Sequence, residues 1–235
     1  MNLIIEDEIF KQYPEVILGV AVLHNIDNKG TNPEIADLLR NAEENAVESM
    51  GNIPIIEQPS IIPWREAYRK FGAKPKDYPS SIENLLRRTS KGEQVRHINK
   101  LVDIYNVISL KYFVPVGGED LAKIEGNVLL TFAADNETPV VLLGEQEARP
   151  PYPNEVIYKD NQGTICRRWN WKEVDRTKLT EETSNAFIVI EGLPPIGREN
   201  IQQAVTKLVE LIKKYCGGEI QTAILDKSNP QIALL

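Results

Sequence analysis

The chain has 235 residues, 42% of them hydrophobic and 26% charged, with a net charge of −7. That is an ordinary globular composition, and no run of 18 apolar residues is present, so no transmembrane helix is expected. Two cysteines far apart, Cys166 and Cys216, exclude a disulfide framework, and with only His24 and His97 beside them no zinc-ligand spacing exists. The first residues turn acidic after a short apolar run, unlike a secretory signal, so a cytoplasmic, metal-free protein is expected.

In chain order, residues 3–5 read as a short strand and a helical turn follows through Phe10. Glu15 to Leu23 is β-branched and nearly continuously apolar, the pattern of a buried strand. Asn32-Pro33 opens a helix, Asn32 as N-cap and Pro33 at its first position, running to about Met50. Trp64 to Phe71 is expected to be helical, closed by Gly72. Ser80 and Glu83 have the spacing of a capping box, so the next helix starts there and ends at Lys91-Gly92. From Ile98 to Leu110 an apolar face of Leu101, Ile104, Tyr105 and Ile108 recurs at helical spacing. Asp103, Asn106 and Ser109 form a polar line along the same helix. Buried polar groups need partners, which are other side chains, backbone or a ligand. The Gly117-Gly118 pair that follows reads as a turn allowing close backbone approach, with Asp120 placed to cap what comes next.

Beyond it lies a mostly β region, with strands expected at 128–133, 140–143, 156–159, 164–168 and 185–191. Between the last two, Arg168-Trp169-Asn170-Trp171 brings guanidinium and aromatic groups together, a combination that suits a nucleobase, an aromatic ring or a phosphate, and that equally anchors cores. Residues 197–216 form an amphipathic helix, and 220–225 a closing strand. The fold class expected is α+β, one domain over residues 1–235, with helices packed on a mixed, largely antiparallel sheet. No glycine-rich phosphate loop follows a strand, so no nucleotide cofactor is expected.

Charge is uneven. Residues 64–100 hold ten Lys or Arg against four acids, so that segment carries +6 and the rest −13. A basic patch on an acidic chain fits a phosphate backbone, although charge runs also occur as solvated helix faces.

Leu101-Val102-Asp103-Ile104-Tyr105-Asn106, then Pro115, Asp120 and Gly126, resemble the editing domain of the phenylalanyl-tRNA synthetase beta subunit. Trp64-Arg65, Ala67-Tyr68, Phe71-Gly72, Lys74-Pro75, Ser81-Ile82-Glu83, Leu86-Arg87-Arg88, Lys91-Gly92 and Arg167 to Trp171 extend the resemblance over about residues 15–225, toward freestanding relatives of that domain. The resemblance implies a tRNA-binding α+β module that hydrolyses a wrongly attached aminoacyl ester by positioning a water, with no nucleophile–base pair and no catalytic residue assigned. It implies aminoacyl-tRNA as partner, with no cofactor, metal or membrane. It assigns Asp103, Asn106, Ser109, Gly117, Gly118, Arg168, Trp169, Asn170 and Trp171 to substrate binding and Arg65, Arg87, Arg88 and Lys91 to RNA. Where the family has a Thr this sequence has Tyr105, its loop His falls at Gly117, and its glycine-rich pocket stretch becomes Arg168 to Trp171. A smaller or more polar aminoacyl group than tyrosine, or a different ligand, is implied. The competing expectations are a non-catalytic RNA-binding module and a small-molecule binder without RNA, the latter favoured by the net negative charge.

Overall fold

The computed structural model describes residues 1–235. In chain order it comprises β1 (Asn2–Ile5), α1 (Asp7–Gln12), β2 (Ile17–His24), α2 (Pro33–Met50), α3 (Ile62–Lys70), α4 (Ser81–Thr89), α5 (Lys100–Tyr112), β3 (Val116–Asp120) and β4 (Val128–Phe132). Then come β5 (Val140–Val141), β6 (Ala148–Arg149), β7 (Val156–Asp160), β8 (Gly163–Arg167), β9 (Lys172–Glu173), β10 (Ala186–Gly192), α6 (Arg198–Tyr215), β11 (Glu219–Leu225) and β12 (Gln231–Ala233). The class is α+β. The single sheet expected is in fact two main sheets, ordered β12-β1-β4-β7-β8-β9 and β11-β2-β10-β3, plus a β5-β6 ribbon. Only β1 and β4 pair in parallel.

The four-stranded sheet is the middle layer. Side chains alternate across a strand, so on β2 Ile17, Ala21 and Leu23 enter the core shared with α2, α5 and α6. Leu18, Val20 and Val22 enter the core shared with the six-stranded sheet, α1 and α3. Both faces are covered, which is why β2 reads as an unbroken apolar run. β10 divides the same way, Ala186, Ile188 and Ile190 toward the helices, Phe187 and Val189 toward the other sheet. Gly19 lets α6 lie close on β2, since a Cβ there would sit 2.4 Å from Val205 Cγ2.

Local signals account for the helix starts. Asn32 accepts from the amides of Glu34 and Ile35 at the start of α2, with Pro33 behind it. Ser80 caps α4 through the Glu83 amide, but Glu83 does not complete the capping box. Its carboxylate, fully buried, instead takes the guanidinium groups of Arg65 at 2.5 Å and Arg87 at 2.7 Å. Two opposing charges outweigh one backbone N–H in competing for a buried carboxylate, so α4 is locked to α3. Asn99 caps α5, which ends at Phe113 in the left-handed region, where Ser109 Oγ donates to Val114 O at 2.6 Å. The chain thereby turns directly into β3.

The Gly117-Gly118 turn is therefore a correction. Both glycines lie within β3, paired with β10 through Gly117–Val189 and Gly118–Ile188. A Cβ on Gly118 would meet Ile188 Cδ1 at 2.3 Å and Phe187 O at 2.9 Å, so close packing rather than turning requires glycine there.

Candidate functional site

Between the two sheets, closed on a third side by α4 and α5, lies a cavity of about 240 Å³. β3 and β10 supply one wall, β7, β8 and β9 the other. Strand alternation brings Gly117 and Glu119 of β3 to the same intersheet face as Phe187, Val189 and Glu191 of β10. Its floor is buried and its rim is formed by Ser81, Asn84, Leu85, Leu143, Trp171 and Lys172.

The floor is built around Glu191, which accepts from Tyr158 Oη and from Asn170 Nδ2, each at 2.5 Å. Asn170 Oδ1 in turn accepts from Tyr68 Oη at 2.9 Å. Burial pushes the Glu191 carboxyl up to about 7, against the opposing pull of its hydrogen bonds from Tyr158 and Asn170. Trp169 packs beneath it, edge-on to Trp64 at 5.1 Å and to Tyr13 at 4.8 Å. It is at once a core anchor and part of the cavity floor.

Arg168 and Trp169 turn the β8–β9 hairpin with φ of 47° and 65°. Non-glycine residues hold such angles at a cost of roughly 1–3 kcal/mol each, and only where surroundings over-determine them. Here Trp169 N donates to Val156 O and Asn170 O accepts from Ser81 N at 3.0 Å, which ties the loop to both the sheet and the rim helix. Arg168 is a correction to the sequence reading. Its guanidinium does not line the cavity but lies 3.8 Å over the Tyr78 ring and 4.4 Å from Trp171, beside Glu155. Trp171 does line the cavity.

The polar line on α5 separates. Asn106 faces the cavity with its carboxamide free of hydrogen bonds to the protein. Asp103 points elsewhere, to His97 Nδ1 at 2.5 Å and the Ile98 amide, and Ser109 is spent on Val114. Neither Asp103 nor Ser109 lines the cavity. Gly117 and Gly118 do.

Three carboxyl groups that the sequence reading passed over dominate the interior. Besides Glu191 these are Glu119, on β3, and Glu173, on β9. Burial raises both, and the charge of Glu173 raises Glu119 further, with Glu173 itself reaching about 7. The signal was there for Glu191, a single charge closing the wholly apolar run from Ala186 to Ile190. Tyr105 also lines the site, its phenol held protonated by burial and by Glu173 and Glu119. Cys166 is the cavity's thiol. Burial raises it well above its ordinary range, so no thiolate nucleophile is available. No group of three or more His, Cys, Asp or Glu is placed to hold a metal, and no helix is long and apolar enough to cross a membrane.

The basic segment is reordered by its ion pairs. Arg65 and Arg87 share the single carboxylate of Glu83, and Lys100 is buried against Asp27 at 3.1 Å. Arg88 is exposed near Glu93 at 4.0 Å. Lys91 is exposed, as are Arg69, Lys70, Lys74, Lys76 and Arg96, which sequence reading had not singled out, and none of these is in an ion pair. α4 carries the rim residues Asn84 and Leu85 and, one turn on, leads to Arg88 and Lys91.

Among known proteins, the chain is 25% identical over 153 residues to a phenylalanine–tRNA ligase beta subunit of Fusobacterium nucleatum, covering 55% of this chain and 19% of the relative. It is 28% identical over 134 residues to that of Bacteroides thetaiotaomicron, covering 57% and 16%. The chain thus matches less than a fifth of the length of these relatives. An N-terminal fragment of the phenylalanyl-tRNA synthetase beta subunit from Pyrococcus horikoshii superposes with a TM-score of 0.46 and 12% identity, over 92% of this chain and 49% of that one. The B3/4 domain model matches residues 63–217, from the start of α3 to the end of α6, and so takes in every element that walls the cavity. On that match the chain belongs to the B3/4 domain family.

Proposed function

We propose that this chain is an aminoacyl-tRNA deacylase, holding the aminoacyl group in the intersheet cavity while the tRNA lies along the exposed cations beyond α4. The observation that carries the reading is the cavity itself. At about 240 Å³ it is below the usual range of roughly 300–1,000 Å³ for drug-sized ligands, which suits one aminoacyl group and not a nucleotide. Its floor offers Glu191, Tyr158 and Asn170, its wall the free carboxamide of Asn106, and α4, which carries the rim residues Asn84 and Leu85, leads on to the exposed Arg88 and Lys91. Two relatives bear the name of a tRNA ligase subunit, which supports a tRNA-linked role.

In the reaction a water oxygen adds to the ester carbonyl carbon, the bond from that carbon to the ribose oxygen breaks, and the ribose oxygen takes the proton. With Cys166 held as thiol, covalent catalysis is disfavoured, and positioning of water and ester is the mode the residues suit. Asn106 would hold the aminoacyl group, while Gly117 leaves the β3 wall beside Glu173 free of a side chain.

The test is a panel of tRNAs carrying correct and incorrect amino acids, incubated with the purified chain. Fast loss of one amino acid names the substrate. Binding of tRNA without loss of any amino acid would replace the reading by that of a non-catalytic RNA-binding module, and no tRNA binding at all by that of a small-molecule binder.

A further inference from the structure

The cavity has a second polar end, separate from the Glu191 floor. Glu119 sits on β3, the edge strand of the four-stranded sheet, and Glu173 on β9, the edge strand of the six-stranded sheet. Both carboxyl groups line the cavity. Glu119 is 5% exposed, and its Oε2 has no hydrogen-bond partner. A buried carboxyl oxygen left in that state costs on the order of 1–3 kcal/mol, more if charged. Glu173 Oε1 receives only the Gly118 amide, at a long 3.4 Å.

Neither carboxyl has a cation. The basic side chains nearby are all engaged elsewhere: Lys172 with Glu145 at 2.7 Å, Arg176 with Asp160 at 2.8 Å, and Lys178 with Asp175 at 2.7 Å. Glu191 differs, because both of its oxygens already accept a hydrogen bond from the protein. At Gly117 a Cβ would come within 3.1 Å of Glu173 Oε1, so the glycine keeps that oxygen approachable. The result is two under-bonded carboxyls on opposite walls of one cavity, with no paired cation and, besides the long Gly118 contact, only the neighbouring Thr177 hydroxyl as a donor.

We propose that Glu119 and Glu173 together form a binding site for a primary ammonium group of the ligand. An ammonium brings three N–H donors and a positive charge, so it satisfies both carboxyls and their mutual repulsion at once. A hydroxyl brings a single donor and no charge. A metal ion finds no third protein ligand there. On the deacylase reading above, on which this assignment of the group rests, the ammonium is the α-ammonium of the aminoacyl ester, with its side chain directed toward the Glu191 floor. The site would then exclude an aminoacyl group whose nitrogen is acylated.

The experiment is a titration of the full chain, followed by tryptophan fluorescence, with the methyl esters of the twenty amino acids and with their N-acetyl counterparts. Trp169 and Trp171 line the cavity and report occupancy. At least one free-amine ester binds, and its N-acetyl form binds at least ten-fold more weakly. Glu173→Gln and Glu119→Gln, which keep size and hydrogen-bonding capacity, each weaken the free amine at least ten-fold and leave the N-acetyl form unchanged. Equal affinity for amine and N-acetyl ester, or undiminished amine binding in both folded variants, overturns the assignment, as does failure of every ester to bind. Amine-selective binding without hydrolysis of any aminoacyl-tRNA keeps the ammonium site and removes the deacylase. Equal hydrolysis of free and N-acetylated aminoacyl-tRNA does the reverse.

Discussion

Replacing Glu191 by Gln should change how stability depends on pH. The Glu191 carboxyl is buried and raised to about 7 by burial, against an ordinary 4.5. Below pH 4.5 both folded and unfolded chains carry its proton, and its contribution is at its most favourable. Between 4.5 and 7 the unfolded chain has released the proton while the folded chain keeps it, so stability falls as pH rises. The loss runs at roughly 1.4 kcal/mol per pH unit, about 3 kcal/mol across the window. Gln cannot ionise and still offers hydrogen bonds to Tyr158 and Asn170, so the variant lacks this loss. Glu119 and Glu173 titrate in both proteins and cancel in the difference. Urea denaturation at half-unit steps from pH 4.5 to 8 should show the variant gaining about 3 kcal/mol on the parent, and thermal midpoints should diverge by roughly 6–12 °C for a chain this size. Parallel curves for the two proteins over that range would refute the reasoning.

Glu83→Ala leaves Arg65 and Arg87 facing a buried site without their carboxylate and should destabilise by about 3–4 kcal/mol, read by denaturant midpoint. A loss below 1 kcal/mol would mean the α3–α4 lock is not as described. Lys91→Ala and Arg96→Ala, both exposed and outside any ion pair, should each lower the slope of log affinity for tRNA against log salt by about 0.7–0.9, while leaving the denaturation midpoint unchanged. An unchanged salt slope would place the RNA elsewhere on the surface.

Much of the fold was legible because it rests on local chemistry. Asn32-Pro33 and Ser80 start their helices as their side chains dictate, and β2 and β10 are apolar because each is covered on both faces. The division into two sheets was not legible, because pairing depends on contacts such as β1 with β4 that lie over 120 residues apart. On α5 the polar line was visible but its meaning was not. A step of three residues turns a helix by about 300°, so Asp103, Asn106 and Ser109 fan across roughly a third of the circumference, and only Asn106 reaches the cavity. Gly117-Gly118 was read as a turn because glycine pairs usually are, whereas here the requirement comes from Ile188 on the neighbouring strand. Glu119, Glu173 and Glu191 escaped notice for a related reason. Each belongs to a different strand, and only the folded sheets bring them to one space. The basic segment was found, but ion pairing decides which of its charges remain free, and that selection exists only in three dimensions.

Asn106 offers the most direct test of the central claim, that the intersheet cavity positions an aminoacyl ester for hydrolysis. Its carboxamide makes no hydrogen bond to the protein, so Asn106→Ala should cost little stability. Single-turnover loss of the amino acid from the tRNA that the parent hydrolyses fastest should then fall by roughly 100-fold or more, with the denaturation midpoint within error of the parent. Hydrolysis at the parent's rate by the folded variant would contradict the account.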